Sequence, residues 1–301
     1  SETPDIVFHL GEYARTEKSF EDVELVWDMN TKGTIAVLEF VRRHGCRLLY
    51  AGSSTKFADQ GEGRDQSPYA WSKATNTELV QNYSNWFGLD YVITYFYNVY
   101  GPREMSGPYG TVIRIFTELY RHGQPLTITA PGTQTRNYTH VYDIVDGLIL
   151  ASEKGKGDGY GIGADQAYSV IEVADMFGGE KVLMPERKGN RMSGGVDNEK
   201  MKSLGWQQNY NLRDWVSRVK EEVGSVEKAD QRVLVFSTTF YPHAGSAELA
   251  LCDLMHVLPK VQFDVITTRF SKDTMGDDCE IPNVTLHRVG NGRPSDKYLL
   301  P

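Results

Sequence analysis

The residues best suited to chemistry are Tyr69 and Lys73, with Ser53 upstream of them. Tyr69 and Lys73 lie four residues apart, a spacing that places both side chains on one face of a helix. An ammonium beside a phenol lowers a phenol pKa that is ordinarily about 10, so that the phenolate becomes a usable base near neutral pH. Ser53 ends an apolar segment, and open α/β folds bind ligands at the carboxyl edge of the sheet. The three side chains predict proton transfer coupled to hydride transfer.

Alternating short apolar strands and amphipathic helices must position these side chains. Such an alternation predicts a parallel sheet with helices on both faces, which is an α/β, Rossmann-like doubly wound arrangement. Gly45 and Gly88 are typical helix ends. The predicted strands cover 6–10, 47–52 and 91–96, and the predicted helices cover 23–44 and 68–87.

The chain past residue 101 loosens into loops and shorter elements. A helix over 111–121, a strand over 126–129 and a last helix over 214–223 predict a smaller substrate-binding region, mainly 102–223, within a first domain 1–223. The polar segment 224–231 predicts a linker. Strands over 233–236 and 263–267 with a helix over 246–258 then predict a partial second Rossmann-like β-α-β unit in 232–301.

Charge, cysteine usage and hydropathy exclude several classes of protein. Lys and Arg number 32 against 40 Asp and Glu, a net charge of −8, which argues against binding nucleic acid or an anionic membrane. Cys46, Cys252 and Cys279 are scattered and outside C-x-x-C spacing, so we expect a reducing compartment and no metal site. No apolar stretch approaches the roughly 20 residues of a membrane span. These features favour a cytoplasmic protein.

An ordered series of motifs over about 5–223 resembles the extended short-chain dehydrogenase/reductase family. The similarity is to its NAD-dependent sugar-nucleotide epimerases and dehydratases, of the UDP-glucose 4-epimerase type. The motifs are Asp5-Ile6-Val7-Phe8-His9-Leu10, Asn30-Thr31-Lys32-Gly33-Thr34, Tyr50-Ala51-Gly52-Ser53-Ser54, Tyr69 to Lys73, Asn98-Val99-Tyr100-Gly101-Pro102, Arg136-Asn137-Tyr138-Thr139-His140-Val141-Tyr142-Asp143 and Leu204-Gly205-Trp206.

The resemblance implies a role for each matching residue. It makes Tyr69 the catalytic base, Lys73 the partner that lowers its pKa, and Ser53 the hydroxyl that bonds the reacting sugar oxygen. Ser54 or Thr55 supplies this hydroxyl instead if the register slips. The implied contacts to the cofactor NAD are His9, Leu10, Gly11, Asn30, Tyr69, Lys73, Tyr97 and Val99, and the implied contacts to a UDP-hexose are Ser54, Thr55, Asn98, Arg136 and Arg187.

The residues that follow Ser53 indicate which reaction of the family to expect. Family dehydratases and decarboxylases usually carry a Glu, often an Asp-Glu pair in dehydratases, just after the active-site hydroxyl, because elimination needs a further acid or base. Ser54 and Thr55 stand there in this chain. We therefore expect a 4-epimerase working through a transient 4-keto sugar; the alternatives are a 4,6-dehydratase, another activity of the family, or a non-catalytic fragment. Family members commonly form homodimers.

Two departures from the family pattern concern the ends of the sequence. A family member begins with a strand and a Gly-rich turn that holds the cofactor pyrophosphate, and no such turn precedes Ile6, so we expect N-terminal truncation and weak NAD binding by this chain. The tail resembles the opening of retaining glycosyltransferases with two Rossmann-like domains, through 240–248 and Asp296-Lys297-Tyr298. Ser246 departs from the glycine usual in that loop.

Overall fold

The computed structural model describes residues 3–54, 63–105, 110–186, 195, 197–226, 231–237, 246–268 and 281–290. The strands are β1 (Ile6–His9), β2 (Arg47–Ser53), β3 (Tyr91–Phe96), β4 (Val99–Tyr100), β5 (Leu126–Thr129), β6 (Thr135–Asn137), β7 (Thr139–His140), β8 (Gly157–Ile162), β9 (Ala167–Ser169), β10 (Lys181–Met184), β11 (Gln231–Ser237), β12 (Val261–Thr268) and β13 (Val284–Val289). The helices are α1 (Val23–Val26), α2 (Gly33–His44), α3 (Pro68–Phe87), α4 (Val112–Arg121), α5 (Val141–Lys154), α6 (Val170–Phe177), α7 (Glu199–Ser203), α8 (Leu212–Val226) and α9 (Ser246–Val257).

A parallel sheet in the order β1-β2-β3-β8 forms the centre of the first region. Side chains of β2 alternate between its two faces. Leu48 and Tyr50 pack into a cluster with α2 and α3, whereas Leu49 packs into a cluster with α5. Because helices cover both faces, β2 is a nearly continuous apolar strand, as the sequence predicted, and the Rossmann-like fold is confirmed.

The start of α3 is fixed by a serine cap and a proline. The Ser67 side chain accepts a hydrogen bond from the Ala70 backbone N–H at 3.0 Å, and Pro68 occupies the first helical position. The helix ends at Gly88, whose φ of 71° lies in the left-handed region. The cap therefore determines where the first turn begins and places Tyr69 in it.

The helix predicted over 23–44 differs in its interior from a regular α-helix. A π-helical stretch, Trp27–Lys32, joins α1 to α2, and Asn30 in this stretch is completely buried. Such wide turns are rare and mark places where a side chain is redirected. Here the wide turn coincides with the side chain that binds the backbone of the loop after β1.

A third buried cluster joins α4, α6 and α8 with β5. Phe116, Phe177 and Val216 are among its members, each at most 1% exposed. This cluster lies in the region predicted to bind substrate, and the boundary of that region at 102 stays a prediction.

The predicted linker 224–231 is wrong at both ends. α8 continues through Val226 and β11 begins at Gln231, so only 227–230 lie between them, outside the described residues. A glycine costs a helix interior only about 1 kcal/mol, so Gly224 did not stop α8.

β11, β12 and β13 form a parallel sheet, of which β13 was not predicted. The division into domains and the glycosyltransferase resemblance stay predictions.

Across the described ranges, none of the helices combines the length and the apolar character that crossing a membrane would need.

Replacing Ser67 by Ala should lower the free energy of unfolding by about 1 kcal/mol, because the Ala70 N–H loses its capping partner. Ser67→Asp, which keeps a side-chain acceptor at the cap, is the matched control and should stay close to the wild type. Urea denaturation of the three proteins measures the difference. Equal losses in Ser67→Ala and Ser67→Asp would contradict the capping role.

Candidate active site

Tyr69 and Ser53 meet where the carboxyl end of β2 faces the first turn of α3. The Tyr69 hydroxyl donates a hydrogen bond to Ser53 Oγ at 3.1 Å. Ser53 is 8% exposed and Tyr69 is half-buried. The structure therefore brings this strand-end hydroxyl and the helical phenol together.

Gly52 fixes the backbone just before Ser53. A Cβ at this position would collide with the ring of Tyr95 on the neighbouring strand β3, so only glycine fits against that ring. Tyr95 is buried and its hydroxyl donates to Asp158 Oδ1 at 2.6 Å, which holds the ring in place. This close contact sets the position of the end of β2 and with it that of Ser53.

The Lys73 side chain is almost completely buried. It donates to the carboxylate of Glu12 and to the Ala51 carbonyl oxygen at 2.5 Å, and it lies 4.5 Å from the centroid of the Tyr50 ring. The exposed fractions of the Lys73 and Glu12 side chains are 6% and 4%. Burial lowers the pKa of Lys73, and the charge of Glu12 opposes that shift.

Glu12 is the charged site residue that the sequence analysis missed. Its Oε1 accepts hydrogen bonds from Asn76 Nδ2 at 2.9 Å, from the Tyr50 hydroxyl at 3.1 Å and from the Thr34 hydroxyl at 3.2 Å. Burial raises the pKa of Tyr50 well above its ordinary value, so this hydroxyl remains a donor. The sequence places this carboxylate close after an apolar strand and so near the carboxyl edge of the sheet, but no local pattern indicates its pairing with Lys73.

Two of the predicted cofactor residues, His9 and Asn30, are engaged by the protein itself. His9 Nε2 is hydrogen-bonded to the Thr34 hydroxyl at 2.9 Å, and burial lowers the pKa of His9. Asn30 Oδ1 accepts from the Tyr13 backbone N–H at 2.6 Å, while Nδ2 donates to the Tyr13 carbonyl at 3.2 Å and to Ser72 Oγ at 2.9 Å. Asn30 thus ties the loop after β1 to α3, and its contact with cofactor stays a prediction.

The other predicted cofactor residues divide between the surface and the core. Leu10 and Gly11 are exposed at the end of β1. Tyr97 is buried in the cluster beneath α2 and α3, and Val99 is half-buried in β4. Their roles toward cofactor stay predictions.

The predicted substrate residues lie on several elements. Ser54 follows β2 directly and is half-buried. Asn98 adopts a positive φ of 39° and donates from Nδ2 to the Asn137 carbonyl at 3.2 Å. Arg136, on β6, is half-buried and donates to the Thr135 carbonyl at 2.7 Å. Thr55 and Arg187 lie outside the described residues.

Among the residues whose structure is described, no group of three or more His, Cys, Asp or Glu side chains is arranged to hold a metal ion. Cys46 is buried and Cys252 is half-buried, and Cys279 lies outside those residues.

The parallel sheet, with a Ser–Tyr pair at its carboxyl edge and a lysine one turn further along the helix, defines a Rossmann-like enzyme of the short-chain dehydrogenase/reductase class. The chain belongs to the NAD dependent epimerase/dehydratase family, whose model matches residues 1–163. The family expected from the motifs is confirmed.

The similar proteins include an epimerase, a dehydratase and a decarboxylase. The chain is 27% identical over 236 residues to the UDP-glucose 4-epimerase of Mycolicibacterium smegmatis, covering 72% of this chain and 75% of that protein. It is 27% identical over 246 residues to the dTDP-D-glucose 4,6-dehydratase of Homo sapiens, covering 73% and 69%. It is 32% identical over 187 residues to a UDP-N-acetyl-alpha-D-glucosaminuronate decarboxylase of Bacillus cytotoxicus, covering 56% and 57%.

Solved structures give the same family. The UDP-glucose 4-epimerase of Thermotoga maritima, determined with UDP-glucose, matches with a TM-score of 0.68 and 25% identity, covering 72% of this chain and 76% of that one. The UDP-glucose 4-epimerase of Thermus thermophilus, in complex with NAD, matches with a TM-score of 0.65 and 25% identity, covering 73% and 78%.

Asn30→Ala should lower the free energy of unfolding by about 1 to 3 kcal/mol in the absence of any cofactor, because it leaves the buried Tyr13 N–H without its acceptor. Asn209→Ala, at an exposed asparagine, should change it by less than about 0.5 kcal/mol. Thermal or urea unfolding measures both. Unchanged stability in Asn30→Ala would show that Asn30 does not hold the loop.

Proposed function

We propose that the site epimerises C4 of a UDP-hexose, with NAD as the cofactor and a transient 4-keto sugar as the intermediate. The observation that carries this proposal is the hydrogen bond of 3.1 Å between the Tyr69 hydroxyl and Ser53 Oγ, beside the buried Lys73. Two hydroxyls at this separation can contact one sugar oxygen between them, which is the arrangement that removal of its proton needs. The 4-epimerases among the relatives support the choice of reaction.

The described residues fit the nicotinamide end of NAD. Leu10 and Gly11 are exposed beside the site, and a Cβ at Gly11 would meet no atom within 4 Å, so a flat group can lie against this loop. Tyr69 and Lys73 would supply donors for ribose hydroxyls. When bound, the nicotinamide supplies an acceptor, and later a donor, for one hydride.

The chain's own residues move and hold the proton. Tyr69, as phenolate, takes the proton of the C4 hydroxyl while Ser53 donates to the same oxygen and keeps it in place. The charge of Lys73 stabilises the phenolate. After the keto sugar has rotated in the site, Tyr69 returns its proton to the oxygen. The C4 hydroxyl oxygen thus loses and regains one proton, and C4 loses one hydride and regains it on the opposite face.

The segment after Ser53 favours epimerisation over elimination. Ser54 lacks a carboxylate, as does Thr55 in the sequence. Loss of water or carbon dioxide needs a further acid or base close to the sugar. The dehydratase and decarboxylase relatives keep these reactions as the alternatives.

Binding of the UDP group is assigned in this proposal to Asn98, Arg136 and Arg187. A guanidinium bonds two phosphate oxygens at once, and the half-buried position of Arg136 would strengthen such a contact. The UDP-sugars bound to the relatives support a uridine nucleotide.

A decisive experiment incubates the protein with saturating NAD and UDP-glucose or UDP-galactose and follows C4 stereochemistry by proton NMR. We expect interconversion of the two sugars, and Tyr69→Phe should lower kcat by at least about 100-fold because it removes only the base. Tyr142→Phe, at an exposed tyrosine, is the control and should keep its rate. A 4-keto-6-deoxy product would replace the epimerase assignment with a dehydratase, and full turnover in Tyr69→Phe would remove Tyr69 from the mechanism.

A homodimer through α2, α3 and the π-helical stretch belongs to the same proposal. Trp27 and Trp71, 42% and 38% exposed, stack with their ring centroids 5.1 Å apart on this surface. Exposed aromatic pairs of this kind are typical of protein interfaces.

Trp27→Glu should therefore yield a monomer where the wild type sediments as a dimer, because a carboxylate would be buried in the contact. Leu183→Glu, at a 65% exposed leucine on β10, should leave the dimer intact. Analytical ultracentrifugation distinguishes the two states, and a monomeric wild type would contradict this part of the proposal.

A further inference from the structure

We propose that Glu12 is a fourth member of the proton-transfer set, a positioning residue that holds the Lys73 ammonium and offsets its charge toward Tyr69. The inference rests on the proposed function for the role of Tyr69 as base. It is carried by the buried ion pair between Glu12 and Lys73 and by the three hydrogen bonds that Glu12 Oε1 accepts.

The geometry makes Glu12 a fixed charge. Its two oxygens receive four donors from three different places in the fold: Thr34 on α2, Tyr50 on β2, and Asn76 and Lys73 on α3. Both carboxylate oxygens of Glu12 are thereby occupied by donors, which holds the side chain in one position. Lys73 is in turn held between Glu12 and the Ala51 carbonyl, so the direction of its ammonium is set by acceptors on both sides.

The ionisable groups that face the ion pair are His9 on β1 and Tyr50 on β2, and Tyr69 lies about one helical turn before Lys73 on α3. Burial lowers the pKa of His9 and raises the pKa of Tyr50, so both are uncharged near neutral pH. Glu12 and Lys73 are consequently the charges that act on Tyr69 from this side of the site.

A count of charges gives the direction of the effect. With Glu12 ionised, the set of Glu12, Lys73 and Tyr69 is neutral while Tyr69 keeps its proton, and its charge becomes −1 when the proton leaves. With Gln at position 12, the same step takes the set from +1 to 0. Losing a proton from a positive site is easier than losing one from a neutral site, so Glu12 raises the pH at which Tyr69 ionises.

The test titrates Tyr69 in the protein without cofactor or substrate. Tyrosines are labelled with ¹³C at Cζ, and the Tyr69 signal is assigned among the 17 tyrosines by its loss in Tyr69→Phe. We expect Glu12→Gln to lower the Tyr69 midpoint by about one pH unit and Glu12→Asp to restore it. Tyr50→Phe, which removes a hydrogen bond from Glu12 without removing its charge, should shift the midpoint by less than half as much.

Glu12→Gln leaves the Lys73 ammonium buried without its carboxylate partner, which can prevent folding. A second pair of variants tests the charge of Glu12 without this difficulty. Lys73→Gln and the double variant Glu12→Gln/Lys73→Gln both lack the ammonium and differ only in the carboxylate. We expect the Tyr69 midpoint to be lower in the double variant than in Lys73→Gln. Equal midpoints in this pair, or equal shifts in Glu12→Gln and Tyr50→Phe, would overturn the role of Glu12.

The outcome is independent of turnover, so it separates this inference from the proposed function. If the protein does not epimerise the sugar but Tyr69 titrates as expected, the epimerase assignment is refuted and the role of Glu12 is retained. In a protein that turns over, the acidic limb of the kcat/KM profile, which reports ionisations of the free enzyme, should move in Glu12→Gln in the same direction as the Tyr69 midpoint. A limb that stays in place while the midpoint moves would refute the catalytic relevance of Glu12.

Discussion

The buried ion pair between Lys73 and Glu12 is the interaction on which the site depends. Two charges removed from water are costly unless each is paired and hydrogen-bonded, and removal of one partner from such a pair typically destabilises a protein by about 3 to 5 kcal/mol. The pair is satisfied only when the loop after β1, the end of β2 and the second turn of α3 come together. The contacts that pair Lys73 with Glu12 and the Ala51 carbonyl therefore also bring the parts of the site together.

Hydrogen bonds from two uncharged side chains, Asn76 and Asn30, hold the parts of the site around the ion pair in place. Asn76 donates both to Glu12 and to the Asn30 carbonyl, so that the carboxylate and the π-helical stretch share one donor. Asn30 in turn binds Tyr13 in the loop after β1 and Ser72 on α3. In this arrangement the asparagines orient the charged and hydroxyl side chains, and the reacting positions Ser53 and Tyr69 remain at the rim.

Much of the fold and the reacting residues could be predicted because their signals are local. The spacing of Tyr69 and Lys73 is a property of one helix, and the apolar run that ends at Ser53 is a property of one strand. Glu12 could not be assigned in the same way, since its partners lie 22 to 64 residues away in sequence and only the packed structure brings them together. The π-helical turn and the extension of α8 to Val226 could not be predicted, because periodicity and composition do not show which backbone hydrogen bonds form inside a helix or at its end.

The contact between Gly52 and Tyr95 couples two positions on neighbouring strands through a shared volume. A larger residue at 52 becomes admissible only when the ring at 95 is exchanged for a smaller side chain, and that exchange also takes a hydroxyl from Asp158 on β8. Replacement of Gly52 thus requires a second change at Tyr95, and its effects reach β2, β3 and β8. Tyr95 therefore limits which residues can precede the Ser53 hydroxyl at the end of β2, although Tyr95 has no assigned contact with the reactants.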